Sequence, residues 1–226
     1  MWVWLLLGLS ASFTYSGLIY VLAILPEEKT QGIVQKIFYF HVPSAFTMYG
    51  FLVLGMLMAI SYLINKRRIW DQISKAAMLT ACLSAFLVIF SGPVWAKPIW
   101  GVWWTWDPRL TTSFVVFILL LAYVMARRIL EDRDPSGQRA AVVGAILSIL
   151  AVLDIPLIHL SVKLWRGLHP SVLENRDGLP PEFMKGLEIM ILSCFLLASL
   201  ICWSLFRYYK LKDDIYEIRM KSLQSS

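Results

Sequence analysis

The sequence predicts an all-α integral membrane protein, built as a bundle of about six transmembrane helices with its unusual residues in the outer loops. Of the 226 residues, 58% are hydrophobic and 16% are charged, whereas ordinary soluble domains carry roughly 25% charged residues. The mean hydropathy is +0.66. The apolar residues form continuous rather than alternating runs, which favours helices over a β-barrel as the spanning elements.

Six apolar runs approach the roughly 20 residues that are needed to cross the core of a bilayer. They cover about 2–25, 43–64, 76–95, 110–126, 140–162 and 187–206. We find neither an internal repeat nor a soluble stretch, so residues 1–226 are interpreted as a single membrane domain. The first run lacks a basic leading segment and is long enough to span, so we expect a helix rather than a cleaved signal peptide.

Basic residues in the connecting segments predict the orientation of the chain. One set of segments carries 13 lysines and arginines in 44 residues and comprises 65–75, 127–139 and 207–226. The other set carries 8 in 55 residues and comprises 26–42, 96–109 and 163–186. Because basic segments favour the cytoplasm, we expect both termini there and the second set outside. The net charge of +6 is thus a topology signal and does not indicate nucleic-acid binding.

Residues 96–111, here called the tryptophan segment, hold four of the ten tryptophans within seven residues. The four are Trp100, Trp103, Trp104 and Trp106. An indole has a large apolar face and one N–H donor, so tryptophans often form a belt at a membrane surface. A belt alone would account for them. Their density also offers a broad aromatic surface that suits a planar apolar ligand.

Proline positions place two histidines near the outer surface. Proline is favoured in the first turn of a helix, where its missing N–H costs nothing. We therefore expect Pro43 to begin the second span, with His41 just above it. Pro170 similarly predicts a short outer helix that follows His169. Histidines in outer loops are often merely solvated, so these residues alone leave metal binding open.

Helix-start and turn signals also occur within the tryptophan segment. Pro108 is expected to begin the fourth span. Asp107 is its natural N-cap, because an aspartate side chain accepts hydrogen bonds from the first N–H groups of a helix. Pro98 and Gly101 are predicted to form turns.

The pattern W-G-x-W-W-x-W-D-x-R-L-T from residue 100 to residue 111 resembles the tryptophan-rich WWD signature of the heme-handling proteins of cytochrome c maturation. That group includes the CcmC, CcmF and CcsA types. The length of the chain and its single block of about six spans resemble the CcmC type most closely, since the other two types are usually larger.

The resemblance implies a heme site on the outer face. In CcmC-like proteins one histidine in each outer loop flanking the signature is the proposed axial pair, and His41 and His169 match those positions. The platform for the porphyrin would comprise Trp100, Trp103, Trp104, Trp106 and Asp107. The cations nearest in sequence to meet the heme propionates are Arg109, Lys97 and Arg166. Because the chain lacks a C-x-x-C-H motif, heme b would be held without thioether bonds.

The resemblance also implies a cellular context. Heme would pass to the periplasmic chaperone CcmE, and the chain would associate with CcmA, CcmB and CcmD in the bacterial cytoplasmic (inner) membrane. The tryptophan segment would then be periplasmic. We find no acid–base pair, nucleophile or Walker motif in the sequence, so a heme-delivery subunit is expected rather than an enzyme.

The fifth span contains two ionisable residues, Asp154 and His159. Such groups inside a span are by default candidates for function. They are five residues apart, and so about 140° apart around a helix, which means that they do not share a face. Pro156 releases a backbone carbonyl from its usual hydrogen bond, and a polar neighbour could satisfy it. We therefore favour structural roles for both residues.

Two alternatives remain open. A CcsA-type heme lyase would form thioether bonds on an apocytochrome with only this protein present. A membrane permease for heme or another solute would need a polar path between the spans, and Asp154 with Pro156 is the one hint of such a path.

Overall fold

Six long helices form the bundle within residues 2–134, 137–165 and 179–224, which are the residues that this computed structural model describes. They are α1 (Trp2–Ile19), α2 (Phe38–Asn65), α3 (Arg68–Trp100), α4 (Pro108–Arg133), α5 (Gln138–Leu164) and α6 (Pro181–Gln224). A π-helical turn (Tyr20–Ile24) follows α1, and a 3-10 turn (Ile33–Ile37) precedes α2. All six helices are long and apolar enough to cross a membrane, which confirms the predicted fold class.

Short connections join neighbouring helices as antiparallel pairs. Two residues separate α2 from α3, and seven separate α3 from α4. We call the end of the bundle where α2 and α4 begin the tryptophan end, and the other the opposite end. The helix α6 has 44 residues and is therefore about 66 Å long, twice the roughly 30 Å of a bilayer core.

The start of α2 differs from the prediction. The helix begins at Phe38, so Pro43 lies inside it and His41 belongs to its first turns instead of lying above it. The 3-10 turn runs directly into α2, so the helix begins before the expected start at Pro43. The early start also lets Phe38 join an apolar cluster formed by α2, α6 and the chain that follows α1. The other buried members of the cluster are Val21, Leu25, Tyr39, Phe183, Leu187 and Met190.

The end of α3 also differs from the prediction. Pro93 and Pro98 both lie within the helix, so the prediction of a turn at Pro98 was wrong. The helix ends at Trp100. Gly101 then adopts the left-handed conformation, with φ 78°, and donates its N–H to the Lys97 carbonyl at 3.0 Å. That conformation favours glycine, and the predicted turn at Gly101 is confirmed. The non-helical part of the tryptophan segment is therefore residues 101–107.

Ion pairs around the buried Arg127 join α3 and α4 at the opposite end. Arg127 is 4% exposed and binds Asp71 through two hydrogen bonds of 2.6 and 2.9 Å. It also contacts Glu131 at 3.0 Å, and Glu131 in turn accepts from Lys75 at 2.6 Å. These residues belong to helices, although residues 127–139 were predicted as a connecting segment.

A second pair extends this network to α6. Arg68 binds Asp213 at 2.8 Å, and Gln72 donates to the same carboxylate at 2.6 Å. The Lys75 ammonium lies 4.1 Å from the centre of the Tyr209 ring. Three helices are thus joined by charged and polar contacts at one end of the bundle.

Replacing Arg127 with methionine is expected to destabilise the protein by about 3 kcal/mol, because the partly buried carboxylates of Asp71 and Glu131 would lose a buried counter-charge. The matched control is Arg128→Met, since Arg128 is the exposed neighbour on the same helix and such changes usually cost within about 0.5 kcal/mol. Reversible unfolding in detergent, followed by circular dichroism, measures both. Equal stability of the two variants would contradict a structural role for the network.

Candidate functional site

A cavity of about 280 Å³ lies at the tryptophan end, with walls from α2, α3, α4 and α5. Four of the predicted site residues line it: His41, Trp100, Trp104 and Arg109. On α3 its wall runs from Val88 to Trp100, which corresponds to about 18 Å along the helix axis. The remaining wall is mostly apolar, as is typical of sites for small molecules.

His41 is held by a short chain of hydrogen bonds to α3. Its Nδ1 lies 2.9 Å from Ser91 Oγ, and Ser91 donates its hydroxyl to the Leu87 carbonyl at 2.6 Å. Because the hydroxyl proton is directed to that carbonyl, Ser91 Oγ accepts the proton of Nδ1. This assignment of the tautomer from the hydrogen-bond network leaves the lone pair of the neutral ring on Nε2.

Packing also orients the His41 ring. Trp95 meets it edge to face, with ring centres 5.9 Å apart, and Phe38 meets Trp95 in the same manner at 6.0 Å. A Cβ added at Gly92 would lie 3.4 Å from the His41 ring, so a glycine lets the imidazole rest close against α3. Only small rotations of the ring are compatible with these neighbours.

The loop before α2 supports this packing. Glu28 accepts hydrogen bonds from the backbone N–H groups of Gln31 at 2.6 Å and Thr30 at 2.9 Å, and these bonds lower the pKa of Glu28. Gln31 then accepts from the Trp95 indole N–H at 3.0 Å. The loop is thereby tied to the indole that orients His41.

The four tryptophans of the tryptophan segment divide into two pairs. Trp100 and Trp104 line the cavity. Trp103 and Trp106 are instead 58% and 72% exposed. The division follows from the turn at Gly101, which reverses the chain after α3 and presents successive residues of 101–107 in different directions.

Several polar atoms of residues 101–107 are buried without a partner among the described residues. They are Trp104 Nε1, Thr105 Oγ1 and Asp107 Oδ2. Buried polar atoms usually have hydrogen-bond partners, so these groups are available to a ligand or partner. The other carboxylate oxygen, Asp107 Oδ1, accepts from Leu110 N–H at 2.9 Å. This bond confirms the predicted N-cap of α4, and Pro108 is its first residue.

The cations predicted to meet an anionic ligand are placed differently. Arg109 is on the cavity wall. Lys97 donates from Nζ to the Gly101 carbonyl at 2.8 Å and so stabilises the end of α3. Arg166, His169 and Pro170 lie outside the described residues.

Four cavity residues are not among those predicted to bind a ligand: Gln31, which was placed in the connecting segment 26–42, and Tyr49, Trp95 and His159, which were placed in spans. The ring of His159 lies 5.5 Å from that of Tyr49. Asp154, by contrast, is buried at 6% exposure, in agreement with the prediction that it and His159 occupy different faces of α5. The sequence marks His159 as an ionisable residue within a span, but helical periodicity gives only the face of a residue and not its neighbours, so it did not predict that His159 lines this cavity.

Comparison with known proteins identifies the family. The family model described as heme exporter protein C matches residues 1–224. The chain belongs to the heme exporter protein C family. This confirms the resemblance seen in the tryptophan segment and implies a role in heme export or delivery for cytochrome c biogenesis.

Named relatives agree with this membership. The heme exporter protein C of Haemophilus influenzae is 32% identical over 213 residues, which are 92% of this chain and 84% of the relative. That of Bradyrhizobium diazoefficiens is 30% identical over 210 residues, covering 91% and 76%. That of Escherichia coli is 27% identical over 207 residues, covering 92% and 77%.

Replacing Asp107 separates its role as a cap from any contact with a ligand. We expect Asp107→Ala to lower the free energy of unfolding by about 1 kcal/mol, because α4 loses its N-cap. Asp107→Asn keeps an oxygen acceptor and is expected to preserve the stability, measured by thermal unfolding in detergent. If Asn destabilises the protein as much as Ala does, the cap assignment is wrong.

Proposed function

We propose that this member of the heme exporter protein C family binds heme b noncovalently at the periplasmic face of the bacterial cytoplasmic membrane and presents it to a CcmE-type chaperone. The observation that carries the proposal is the cavity at the tryptophan end, where an imidazole, aromatic walls and a cation meet. The chain lacks a Walker motif, so nucleotide hydrolysis would come from CcmA-type subunits in a complex with CcmB- and CcmD-type subunits.

His41 and His169 are the axial ligands in this proposal. Heme iron accepts neutral imidazoles, and the contact with Ser91 supports a tautomer in which His41 Nε2 has the lone pair. A hydrogen bond from the second ring nitrogen commonly fixes the orientation of such a ligand. The assignment of His169 rests on its match to the family pattern.

The other cavity residues suit the rest of the porphyrin. Aromatic faces from Trp95, Trp100 and Trp104 would pack against the macrocycle. The carboxylates of the heme would pair with Arg109 and accept from Trp104 Nε1, which is a buried donor without an acceptor among the described residues. An anionic ligand would therefore satisfy a polar atom that the described protein residues leave unpaired.

The size of the cavity favours delivery over storage. At about 280 Å³ it is near the lower limit of roughly 300 Å³ for small-molecule sites, so the described residues would enclose heme only in part. The exposed rings of Trp103 and Trp106 lie next to this site in sequence and offer an apolar surface for the chaperone. The orientation follows from the basic residues of the opposite end, which favour the cytoplasm.

Absorption spectra of the protein purified in detergent test the proposal. The parent is expected to bind hemin with a Soret band of bis-imidazole character, and His41→Ala and His169→Ala are each expected to weaken retention and alter the band. Ser91→Ala removes the acceptor of His41 Nδ1–H and should weaken hemin binding about tenfold or more, whereas Ser91→Thr keeps a hydroxyl. A parent that stays colourless with added hemin would refute the proposal.

The two pairs of tryptophans are expected to act at different steps. Trp104→Ala removes part of the cavity wall and should reduce hemin binding. Trp106→Ala removes an exposed ring and should leave binding unchanged while slowing transfer of heme to a purified CcmE-type chaperone. Hemin titration and a transfer assay measure the two steps, and Trp4→Ala, an exposed tryptophan on α1, is the control. Equal effects of both variants on binding would contradict this division.

A further inference from the structure

The last part of α6 projects beyond the rest of the bundle. At the tryptophan end α6 begins level with α2, because Phe183 packs in the same cluster as Phe38. At the opposite end Asp213 binds Arg68, the first residue of α3, and α6 continues for eleven more residues, or about 16 Å. Residues 214–223 are all exposed and include four charged residues. This stretch therefore lies in water and not in the hydrocarbon of a bilayer.

Large apolar side chains form a row on one side of this part of α6, here called the α6 stripe. Its members are 57–68% exposed and are spaced by three and four residues: Tyr208, Leu211, Ile215 and Ile218. Residues with this spacing share one face of a helix. The face towards the bundle is roughly opposite, since it carries Tyr209 beside Lys75 and Asp213 beside Arg68. A row of apolar side chains in water is typical of a surface that another helix covers.

Basic side chains flank the α6 stripe on both sides. Numbered as a heptad, the stripe occupies positions a and d, and the flanking positions are e and g. The e positions hold Lys212 and Arg219, and the g positions hold Arg207, Asp214 and Lys221. None of these five residues forms an ion pair within the part of the chain that the structure describes. Their predominantly positive charge is therefore available to a partner.

A lipid surface is a poor cover for the α6 stripe. Amphipathic helices that bind a bilayer lie in the plane of its surface. In contrast, α6 contains no proline after Pro181 and is one continuous helix to Gln224. Its contacts with Arg68 and Gln72 of α3 hold it against the bundle. Residues 214–223 therefore point away from the bilayer.

A second copy of the chain is also a poor match. Two copies in one membrane have the same orientation, so their α6 helices could pair only in parallel. In a parallel pair each g position faces the following e position of the other helix. Arg207 would then face Lys212 of the second copy, and Asp214 would face Arg219. Each attractive contact is offset by a repulsive one.

We propose that the α6 stripe binds an amphipathic helix of a partner protein, whose apolar seam is flanked by aspartates and glutamates. Such a helix would remove Ile215 and Ile218 from water, and its carboxylates would pair with Lys212 and Arg219. Complementary charge of this kind selects a partner and fixes its register. The orientation given under the proposed function places the partner in the cytoplasm. The stripe lies at the other end of the bundle from the cavity, so the inference is independent of heme binding.

Two synthetic helical peptides test the α6 stripe in the full-length protein in lipid nanodiscs. Both peptides carry the same seam of leucine and isoleucine, one with flanking glutamates and the other with flanking lysines. We expect only the acidic peptide to bind, as measured by fluorescence anisotropy. Ile215→Ala and Ile218→Ala should each weaken its binding about tenfold, because a buried apolar contact is lost. Met220→Ala is the matched control, since it removes an exposed apolar side chain from the other side of α6.

Charge reversal tests the flanks of the stripe separately from its apolar members. Lys212→Glu/Arg219→Glu should reverse the preference, so that the lysine peptide binds and the glutamate peptide does not. Raising the ionic strength from about 0.1 M to about 1 M shortens the Debye length from about 10 Å to about 3 Å and should weaken binding to the parent. The proposal is overturned if both peptides bind equally, if neither binds, or if Met220→Ala costs as much as Ile215→Ala.

Photocrosslinking in the cells that make the protein identifies what covers the stripe. Ile218→p-benzoylphenylalanine is expected to form an adduct that mass spectrometry maps to a helix with acidic flanks, whereas Met220→p-benzoylphenylalanine is not. An adduct with a second copy, with lipid or with a segment that lacks acidic flanks contradicts the proposal, as does an equal yield at the two positions. Hemin binding should equal that of the parent in every variant. A parent that binds no hemin would refute the proposed function and leave this inference unaffected.

Discussion

The guanidinium of Arg127 is buried between α3 and α4, and the bundle depends on its neutralisation by Asp71 and Glu131. A buried charge of this kind is tolerated only with well-placed partners, so the two helices cannot separate at this end without a large loss of stability. The pair formed by Arg68 and Asp213 adds α6 to the same end. The tryptophan end has no comparable network among the described ion pairs, and the helices there enclose a cavity instead.

The cavity is assembled from residues that are themselves held by others. His41 is oriented by Ser91 and Trp95, and Trp95 is tied through Gln31 to the loop before α2. These partners are on two elements, α3 and the loop before α2, and the imidazole keeps its direction when both are in place. Preorganisation of this kind lowers the entropic cost of binding a ligand.

Apolar runs and local helix signals were sufficient to predict six helices of membrane-spanning length and the cap at Asp107, because both depend on neighbours in sequence. The start of α2 was predicted too late in the chain, because the sequence does not distinguish a proline inside a helix, such as Pro43, from a proline that begins one. Arg127 was predicted to lie in a connecting segment, since charge alone does not show a partner 56 residues away. The cavity positions of Trp95 and His159 depend on contacts between helices, which one sequence without tertiary information does not specify.

Pro93 links the contacts of His41 to the bend of α3. It cannot donate to the carbonyl four residues earlier, so α3 is easier to bend at this point. The imidazole touches Ser91 before the proline and Trp95 after it. Any change in the bend of α3 moves the hydroxyl and the indole relative to each other, and the ring must turn with them. The direction of the His41 lone pair is therefore coupled to the curvature of a helix that crosses the whole bundle.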